Sequence, residues 1–454
     1  MSKNKNINKN KRIVIIGGGI TGLTAALICM KNGHNVTILE SSETVGGLLN
    51  SFKIGGTLLE KFYHHFFTHD KELLWMLDEL GLVNKVVYKK TSMGVFTNNN
   101  TYKFNGPLDL FKFKPFNLID IFRFGLTSLY LALLSDWRKM EGYPALAWFE
   151  RYSGKKVTNT IWKPLIEGKF GPYATKLPIS WMVGRLSQRF RSRDNGDEKL
   201  GYLTGSFQVL VEALVKKLED GGTIFEKNFK VENVLIEKES INSVYGSGKY
   251  IYGDVFLFCT PLNVTAGLVK VDNSYFRSLN EVEYFGALCV ILELKTNLTE
   301  FYWLNIADEN ISFVGIIEQT NFVDKEIYNG NHVVYLTKYF DNESFYAKAP
   351  EAEIERMMIS DLKKIKPSFD ERDIISVRTF RSKTAAIVCD LNFSDKIPTY
   401  KTPIENMYIA SMVHVYPDER SANNSIRIAK YACKNIGMDV SFIPEGDSLS
   451  GKIG

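Results

Sequence analysis

The segment from residue 12 to Glu40 restricts the fold of this chain more than any other. An apolar run at 13–16, typical of a buried strand, leads into a glycine-rich turn at 17–22. An apolar stretch with helical character follows at 23–30, and a second apolar run at 35–39 ends at an acid, Glu40. Strand, glycine turn, helix and strand in this order predict a βαβ unit, and therefore an α/β protein with a Rossmann-type parallel sheet.

The glycines of the turn follow the G-x-G-x-x-G spacing, and each has a predicted role. Gly17 lets the chain turn out of the strand, Gly19 has no side chain to hold a pyrophosphate away, and Gly22 lets the helix lie close to the sheet. The helix N-terminus is then expected to hold the pyrophosphate. Glu40 is expected to accept hydrogen bonds from ribose hydroxyls and to repel a 2′-phosphate. This favours an adenosine diphosphate moiety over NADP.

A glycine doublet, Gly46-Gly47, follows within residues 41–52, so the chain again passes close to something that tolerates no side chain. Here the sequence resembles the flavoprotein superfamily of amine oxidases, protoporphyrinogen oxidase, phytoene desaturases and UDP-galactopyranose mutase. In that superfamily the doublet follows the second strand and lines the cofactor. The resemblance implies FAD as the cofactor.

Later segments extend this resemblance. Residues 201–237 are similar to the middle flavin-binding segment, in which the backbone at Val231 would meet the adenine, and residues 252–261 are similar to the strand that returns beside the Rossmann sheet. Residues 406–410 and 416–432 are similar to the last strand and helix, whose N-terminus would lie at the flavin. The resemblance implies these cofactor-binding residues: Gly17, Gly19, Ile20, Thr21, Gly22, Glu40, Ser41, Gly46, Gly47, Leu48, Val231, Thr260, Pro261, Ser411, Arg420 and Asn423.

The resemblance also implies a discontinuous domain organisation. The FAD-binding domain is predicted at 12–90, 200–283 and 385–440, and the substrate domain at 91–199 and 284–384, with a helical part and an antiparallel sheet. Residues 1–11 form a predicted disordered basic tail, because this Lys/Asn-rich stretch has almost no apolar residue to bury.

A histidine- and aromatic-rich stretch at 61–71 is the first candidate for the substrate site. It is similar to the segment of UDP-galactopyranose mutase in which a histidine lies beside the flavin, and His65 falls at that position. A neutral imidazole there could hydrogen-bond the flavin or shuttle a proton, which makes His65 the candidate catalytic residue. Packing is the alternative interpretation. A metal site has no support, since no cysteine or acidic cluster supplies further ligands.

Three further segments bear on the substrate. Residues 108–137 predict a helix interrupted at Pro115, whose basic and aromatic surface could lie on a membrane, border a lipid channel, or be buried as a helix pair. Residues 162–173 resemble a substrate-domain loop of protoporphyrinogen oxidase, and the following arginines at 185, 189, 191 and 193 suit phosphate or carboxylate contacts, or a solvated helix face. Alternating residues at 284–339 predict an antiparallel sheet over the flavin. The candidate substrate residues are Tyr63, His64, Arg189, Tyr302, Asn305 and Tyr335.

Composition limits the partners. The net charge of +5 arises from the basic tail, so a nucleic-acid-binding face has no support. The five cysteines are scattered without a C-x-x-C pair, as in a reducing compartment, and the polar start of the chain does not resemble a signal peptide. We therefore expect a cytoplasmic protein, with peripheral contact to the inner face of the membrane as an option.

Three functions remain open at this point. The leading one is an FAD-dependent oxidoreductase that takes a hydride from a small or lipid-linked substrate onto flavin N5. The second is a non-redox sugar mutase or isomerase resembling UDP-galactopyranose mutase, which His65 and the arginines favour, although the sequence lacks similarity over the mutase substrate domain. The third is a flavin-bound binding protein without catalysis.

Overall fold

The computed structural model describes residues 10–194, 197–446 and 449, so the predicted tail lies almost entirely outside the described residues. Within them, five strands form one wholly parallel sheet, in which Ile13 pairs with Val36 on one side and Val255 on the other. In spatial order the strands are Ile224–Glu226, Asn35–Leu39, Arg12–Ile16, Val255–Phe258 and Met407–Ile409. The sequence prediction of a Rossmann-type parallel sheet is confirmed.

This parallel sheet is covered on both faces, which explains why its strands are continuous apolar runs. Ile13 and Ile15 pack against the helices on one face, while Val14 and Ile16 pack against a three-stranded meander on the other. The helices are Ile20–Lys31, Lys71–Glu79, Gln208–Asp220 and Ala422–Ile436. The meander strands are Val231–Glu237, Ser240–Gly246 and Lys249–Tyr252.

A second large sheet lies in the predicted substrate domain. Seven strands of the described chain form it, in the order Ile374–Ile387, Tyr284–Leu294, His332–Phe340, Gly315–Glu318, Trp303–Ile306, Met93–Thr97 and Asn100–Lys103. Its pairs are antiparallel except where Trp303–Ile306 runs parallel to Met93–Thr97. The sequence predicted antiparallel strands at 284–339 but not the pair from 93–103, because the pattern of a strand does not show which distant segment it joins.

The helical part of the substrate domain agrees with its prediction in one place and differs in another. The interruption predicted at Pro115 is present, with helix Pro107–Leu110 on one side and helix Leu118–Leu133 on the other. The loop predicted at 162–173 is mostly helical, since Lys163–Phe170 is a helix. This helix continues without a break from the π-helix Thr158–Trp162, and Pro164, which has no backbone N–H to donate, lies just after that π-helix. Ala145–Tyr152 and Ile179–Arg191 are further helices of this part.

Shorter elements join the two regions. Asp197–Leu203 pairs with Phe66–Phe67 and Val86–Lys90, and Ser51–Ile54 forms a hairpin with Thr57–Glu60. In the described part of the chain, the remaining α-helices of more than three residues are Leu262–Leu268, Ser274–Ser278, Phe345–Lys348 and Glu351–Ile365. In the described part of the chain, no helix is long and apolar enough to cross a bilayer.

Candidate functional site

The glycine turn has the geometry of a phosphate cradle. Helix Ile20–Lys31 begins at Gly19 without a side-chain cap, so its first N–H groups point out of the helix. Gly17 has a φ of +110°, and a Cβ added to Gly22 would lie 2.0 Å from the Gly17 carbonyl oxygen. A Cβ added at Gly19 would instead meet none of the described atoms within 4 Å. The helix N-terminus therefore faces open space at the place predicted for the pyrophosphate.

The Gly46-Gly47 doublet packs against this turn. The Gly46 N–H donates to the Gly18 carbonyl at 2.8 Å, and φ is +115° at Gly46 and +58° at Gly47. A Cβ added to Gly47 would lie 3.3 Å from the Gly19 Cα. The close approach predicted from the doublet is thus, at least in part, an approach to the glycine turn itself.

Glu40 closes the other side of the cradle. One carboxylate oxygen accepts from the Gly18 N–H at 2.8 Å, and the other accepts from the Ser42 N–H at 2.8 Å. Since a carboxylate offers about four acceptor positions, Glu40 can hold the turn and still accept hydrogen bonds from a ribose. Two further predicted cofactor residues follow in the sequence: Ser41, directly after Glu40, is exposed, and Leu48, directly after the glycine doublet, is half-buried.

Other predicted cofactor residues follow the carboxyl ends of the parallel strands. Gly17, Glu40, Cys259 and Ala410 directly follow four neighbouring strands, and Thr260 and Ser411 come next. This is the edge at which open parallel sheets bind ligands. The hydroxyls of Thr260 and Thr265 lie 2.8 Å apart. Pro261 is the N-cap residue of helix Leu262–Leu268. Val231 is buried and is the first residue of the three-stranded meander.

The side chain of Asn423, which was predicted to bind the cofactor, instead connects two helices. Asn423 is buried, and its side-chain oxygen accepts from the Leu73 N–H at 2.9 Å, so it ties helix Ala422–Ile436 to helix Lys71–Glu79. Its backbone still lies in the first turn of its helix, after Ser421, whose hydroxyl caps the Asn424 N–H. With two helix N-termini and a glycine cradle at one sheet edge, the residues present fit a dinucleotide such as FAD.

A cavity of about 690 Å³ lies between the helical part, the seven-stranded sheet and the segment before helix Ala422–Ile436. Most of its wall is apolar or aromatic, including Phe104, Phe124, Leu129, Trp162, Trp181 and Trp303. Its polar wall includes Tyr63, His64, His65, Lys169, Arg185, Arg189, Arg193, Glu198, Asn305, Tyr339, Asp418, Glu419 and Arg420. The cavity therefore brings together the predicted histidine stretch, the arginines, the sheet and the closing segment.

The two histidines in the cavity wall are held neutral. Nδ1 of His65 lies 3.1 Å from the Tyr302 hydroxyl, and Nδ1 of His64 lies 2.6 Å from the Phe62 carbonyl oxygen. Burial, with a smaller contribution from Arg189, lowers the pKa of His65 to about 3. Burial and Arg420 lower the pKa of His64 to about 4. At neutral pH both rings can exchange hydrogen bonds without carrying charge.

The predicted arginine cluster is largely neutralised by carboxylates. Arg189 Nη1 contacts both oxygens of Glu198, at 2.9 and 2.8 Å. Arg185 and Lys169 both donate to one oxygen of Glu419, Lys169 at 2.6 Å. Arg185 and Arg189 therefore each have a carboxylate partner within this chain. Their contact with a phosphate or carboxylate of the substrate stays a prediction.

A tyrosine pair stands beside the remaining cations. The hydroxyls of Tyr63 and Tyr339 lie 3.3 Å apart. Burial alone would raise the pKa of Tyr339, but Lys169, Arg420 and the hydrogen bond with Tyr63 lower it below its ordinary value. Burial and the neighbouring Tyr339 raise the pKa of Tyr63. Tyr339 is thus the more acidic of the two, and the pair can pass a proton.

The structure separates the predicted substrate residues into two groups. Tyr63, His64, Arg189 and Asn305 line the cavity, where Asn305 accepts from the Trp303 indole at 3.0 Å. Tyr302 and Tyr335 are completely buried outside its wall. Tyr302 holds His65, and the Tyr335 hydroxyl donates to the Glu60 carbonyl oxygen at 2.8 Å. Both were plausible from the sheet pattern, which gives the alternation of side chains but not which face meets the ligand.

Sequence reasoning missed the carboxylates of the cavity. Glu198 lies in the strand Asp197–Leu203, outside any motif, and the resemblance covers Glu419 only as part of the closing segment. The available signal was local: Glu419 stands beside Arg420 in a segment already placed at the flavin. Its partners, 250 and 234 residues away, could not be read from one sequence.

Comparison with known proteins agrees with this geometry. The family model of flavin containing amine oxidoreductases matches residues 20–412. The chain belongs to this family. Coproporphyrinogen III oxidase of Staphylococcus aureus is 23% identical over 305 residues, which cover 60% of this chain and 65% of that relative, just under two thirds of its length.

Two solved structures show the same fold. Putrescine oxidase bound to putrescine has a TM-score of 0.72 and 15% identity, covering 94% of this chain and 99% of that chain. Reduced UDP-galactopyranose mutase has a TM-score of 0.74 and 15% identity, covering 97% of both. Similarity to the mutase, which the sequence shows only near the N-terminus, therefore extends over the substrate domain at the level of the fold.

Proposed function

We propose that this chain is an FAD-dependent oxidoreductase that takes a hydride from a small, mostly apolar substrate, including a lipid-linked one. The observation that carries the proposal is that one segment, 412–421, connects the cavity to the predicted cofactor site. The segment forms part of the cavity wall and leads directly into helix Ala422–Ile436. A substrate in the cavity would thus lie next to the cofactor edge of the parallel sheet. Bound FAD would supply the hydride acceptor, N5 of its ring.

The glycine turn and the sheet edge would hold the cofactor. N–H groups at the start of helix Ile20–Lys31 face the space left by Gly19 and would bind the pyrophosphate, while Glu40 would accept from the ribose. The N-terminus of helix Ala422–Ile436 would place its positive dipole end near the flavin. In this arrangement Arg420, which directly precedes the Ser421 cap, would add a fixed positive charge.

His65 and the tyrosine pair would position the substrate and move protons. With the Tyr302 hydroxyl donating to Nδ1 of His65, the imidazole carries its hydrogen on Nε2 and offers it as a donor. The Tyr63–Tyr339 pair supplies a second route, in which the more acidic Tyr339 hydroxyl gives up its proton first. His65 is the proposed catalytic residue, and Tyr63 and Tyr339 are proposed to contact the substrate.

The wall chemistry limits the substrate class. Apolar and aromatic groups form most of the surface, and Glu198 and Glu419 pair with Arg189, Arg185 and Lys169. An anionic group that binds at Lys169, Arg185 or Arg189 would have to displace these carboxylates, at a large cost in desolvation. A mostly apolar molecule with a few hydrogen-bonding groups fits without rearrangement.

We also propose the domain limits and location given by the sequence. All strands of the parallel sheet fall within 12–90, 200–283 and 385–440, and the strands of the seven-stranded sheet fall within 91–199 and 284–384, apart from three residues at the end of Ile374–Ile387. The five free cysteines support a cytoplasmic location.

A flavin-dependent mutase is the second candidate, favoured by the neutral His65 in the cavity wall and by the fold shared with UDP-galactopyranose mutase. The pairing of Arg185 and Arg189 with carboxylates counts against it, because a nucleotide diphosphate needs cations that are open to it. Arg193 and Arg420, which also line the cavity, are the arginines that would have to bind the diphosphate. A non-catalytic flavin-binding protein would show a flavin that no substrate perturbs.

One experiment separates these candidates. The visible flavin spectrum is followed anaerobically while amines, porphyrinogens, nucleotide sugars and polyprenyl-linked sugars are added, first to oxidised and then to reduced protein. Bleaching of the oxidised flavin by an apolar class supports the oxidoreductase. Product formed only by reduced protein, without net reoxidation, would replace it with the mutase, and an unperturbed flavin throughout would leave a binding protein.

A further inference from the structure

Helix Leu118–Leu133 has two apolar faces. Asp120, Phe124, Thr127 and Leu131 form a buried face, on which Phe124 stacks against Trp162 with ring centroids 5.0 Å apart. The opposite face is exposed and apolar: Leu118, Ile119, Phe122, Leu126, Leu129, Tyr130 and Leu133 have exposed fractions of 72, 64, 67, 51, 41, 52 and 65%. At about 100° per residue, these seven positions fall within an arc of about 120°.

The preceding turn extends this face. Leu108 and Phe111 are 78% and 64% exposed. We call these two residues and the seven on the helix the apolar face. Nine large exposed apolar side chains on one short segment are far more than scattered surface hydrophobics, and a contiguous patch of this kind marks a contact surface. One side of the helix is therefore buried and the other is exposed, so burial, one of the three alternatives left open by the sequence, describes only one side.

The basic and acidic side chains near the apolar face differ in their exposure and pairing. Lys112, Lys114 and Arg123 are exposed. The two acids of the same segment are tied down, since Asp109 accepts from the Asn105 N–H at 2.9 Å and Asp120 pairs with Lys156 at 2.8 Å. An exposed apolar face with basic residues at its edge complements an anionic lipid surface.

The cavity opens beside the apolar face. The next strip of the same helix, Gly125, Ser128 and Ala132, lines the cavity, and Leu129 belongs to both surfaces. Phe190, from helix Ile179–Arg191, also lines the cavity and is 47% exposed. A continuous apolar path therefore runs from the exposed helix face over Leu129 into the cavity.

We propose that the apolar face seats on an anionic lipid bilayer, with the cavity mouth at Leu129 turned toward the acyl chains, so that an apolar substrate enters from the membrane. A helix of 16 residues lies in the interface in this arrangement and does not cross the bilayer. The entry route rests on the proposed function of the cavity, whereas the membrane contact stands on the surface alone.

The test is flotation of the flavin-loaded protein with vesicles of phosphatidylcholine, with and without phosphatidylglycerol. The wild type is expected to float with the anionic vesicles. The triple variant Leu118→Ser, Phe122→Ser, Leu126→Ser should reduce the bound-to-free ratio at least about tenfold, because it removes three exposed apolar groups without touching the buried face. Lys112→Glu with Lys114→Glu should remove the preference for phosphatidylglycerol.

A control removes three exposed apolar side chains from other elements: Val264→Ser, Phe345→Ser and Ile375→Ser, at positions 43, 46 and 45% exposed. This control should float like the wild type, and retained flavin absorbance in all variants shows that they fold. Equal flotation of both triple variants, or no flotation of the wild type, would overturn the proposal. A wild-type dimer in solution that only the helix variant dissociates would assign the face to a second copy instead.

The entry route has its own readout. A nitroxide attached at Leu129→Cys should become more accessible to oxygen and less accessible to a water-soluble nickel complex when vesicles are added, while one at Val264→Cys should not change. An unchanged Leu129 label in vesicle-bound protein would overturn the membrane-facing mouth. None of these measurements needs turnover, so a protein that floats but shows no substrate-dependent flavin reduction contradicts the proposed function and not the membrane contact.

Discussion

The Nζ atom of Lys169 lies 2.6 Å from Oε1 of Glu419, and this contact joins the helical part of the substrate domain to the segment that precedes helix Ala422–Ile436. Arg185 donates to the same oxygen. All three side chains are less than a third exposed. Glu419 therefore fixes two cations in the wall of the cavity and fastens the closing segment to the substrate domain.

Glu419→Gln is expected to lower the free energy of unfolding by about 1–3 kcal/mol, because two cations lose their charged partner. Burial alone would raise the pKa of Glu419, but Arg185 and Lys169 hold it well below its ordinary 4.5. A depressed carboxyl stabilises the fold above its unfolded pKa and loses that contribution as pH falls toward the folded one. The difference between variant and wild type in urea denaturation should therefore shrink below about pH 4.5.

The control for this prediction is Glu371→Gln, which breaks an exposed pair with Lys363 in which both side chains are more than half exposed. Such pairs contribute at most about 1 kcal/mol, so this variant should lie close to the wild type at every pH. A Glu419→Gln protein as stable as the control would show that the cations do not depend on Glu419.

His65 is expected to remain neutral between pH 5 and pH 8, since burial, followed by Arg189, lowers its pKa to about 3. The measurement is NMR of protein with isotope-labelled histidine, with the His65 signal assigned from its loss in His65→Gln. Its chemical shift should not move across this range. A midpoint near the ordinary value of 6.5 would mean that the imidazole is accessible to solvent and that its contact with Tyr302 does not exclude charge.

Glu60 is expected to destabilise the protein as pH rises. Burial raises its pKa to about 7, although the Phe207 N–H and the Tyr202 hydroxyl both donate to its carboxylate. Between pH 4.5 and pH 7 the folded state thus binds more protons than the unfolded state, so stability falls with rising pH. Glu60→Gln cannot ionise and should gain about 2–3 kcal/mol relative to the wild type between pH 5 and pH 8, measured by urea denaturation at both values. A constant difference between the two proteins would contradict the buried, protonated carboxyl.

The sequence predicts those features of the site whose residues lie close together along the chain, and not those that join distant segments. The glycine turn, helix Ile20–Lys31 and Glu40 lie within one short segment, so their spacing alone predicted the cradle. The His65 stretch, singled out by an equally local resemblance, lies in the cavity wall, and its contact with flavin or substrate stays a prediction. The pairs Arg189–Glu198 and Lys169–Glu419 could not be predicted, since no motif contains both partners.

The helix at 118–133 shows a second limit. Its sequence is apolar almost all round, which fits both burial and lipid contact, and only the packing of Phe124 on Trp162 shows which face is covered. Likewise the strand containing Tyr335 alternates as predicted, but its register against Tyr284–Leu294 turns that hydroxyl toward Glu60 and away from the cavity.

The most direct test of the account is the visible absorbance of the purified wild type, Gly19→Ala and Gly267→Ala, after unbound flavin has been removed. A Cβ at either glycine would meet none of the described atoms within 4 Å, so both variants should keep the far-ultraviolet circular dichroism of the wild type. Only the Cβ at Gly19 would enter the space proposed for the pyrophosphate. The account predicts stoichiometric FAD in the wild type and in Gly267→Ala, and its loss in Gly19→Ala. A wild type that binds no FAD, or a Gly19→Ala protein that keeps it all, would contradict the proposed cofactor site.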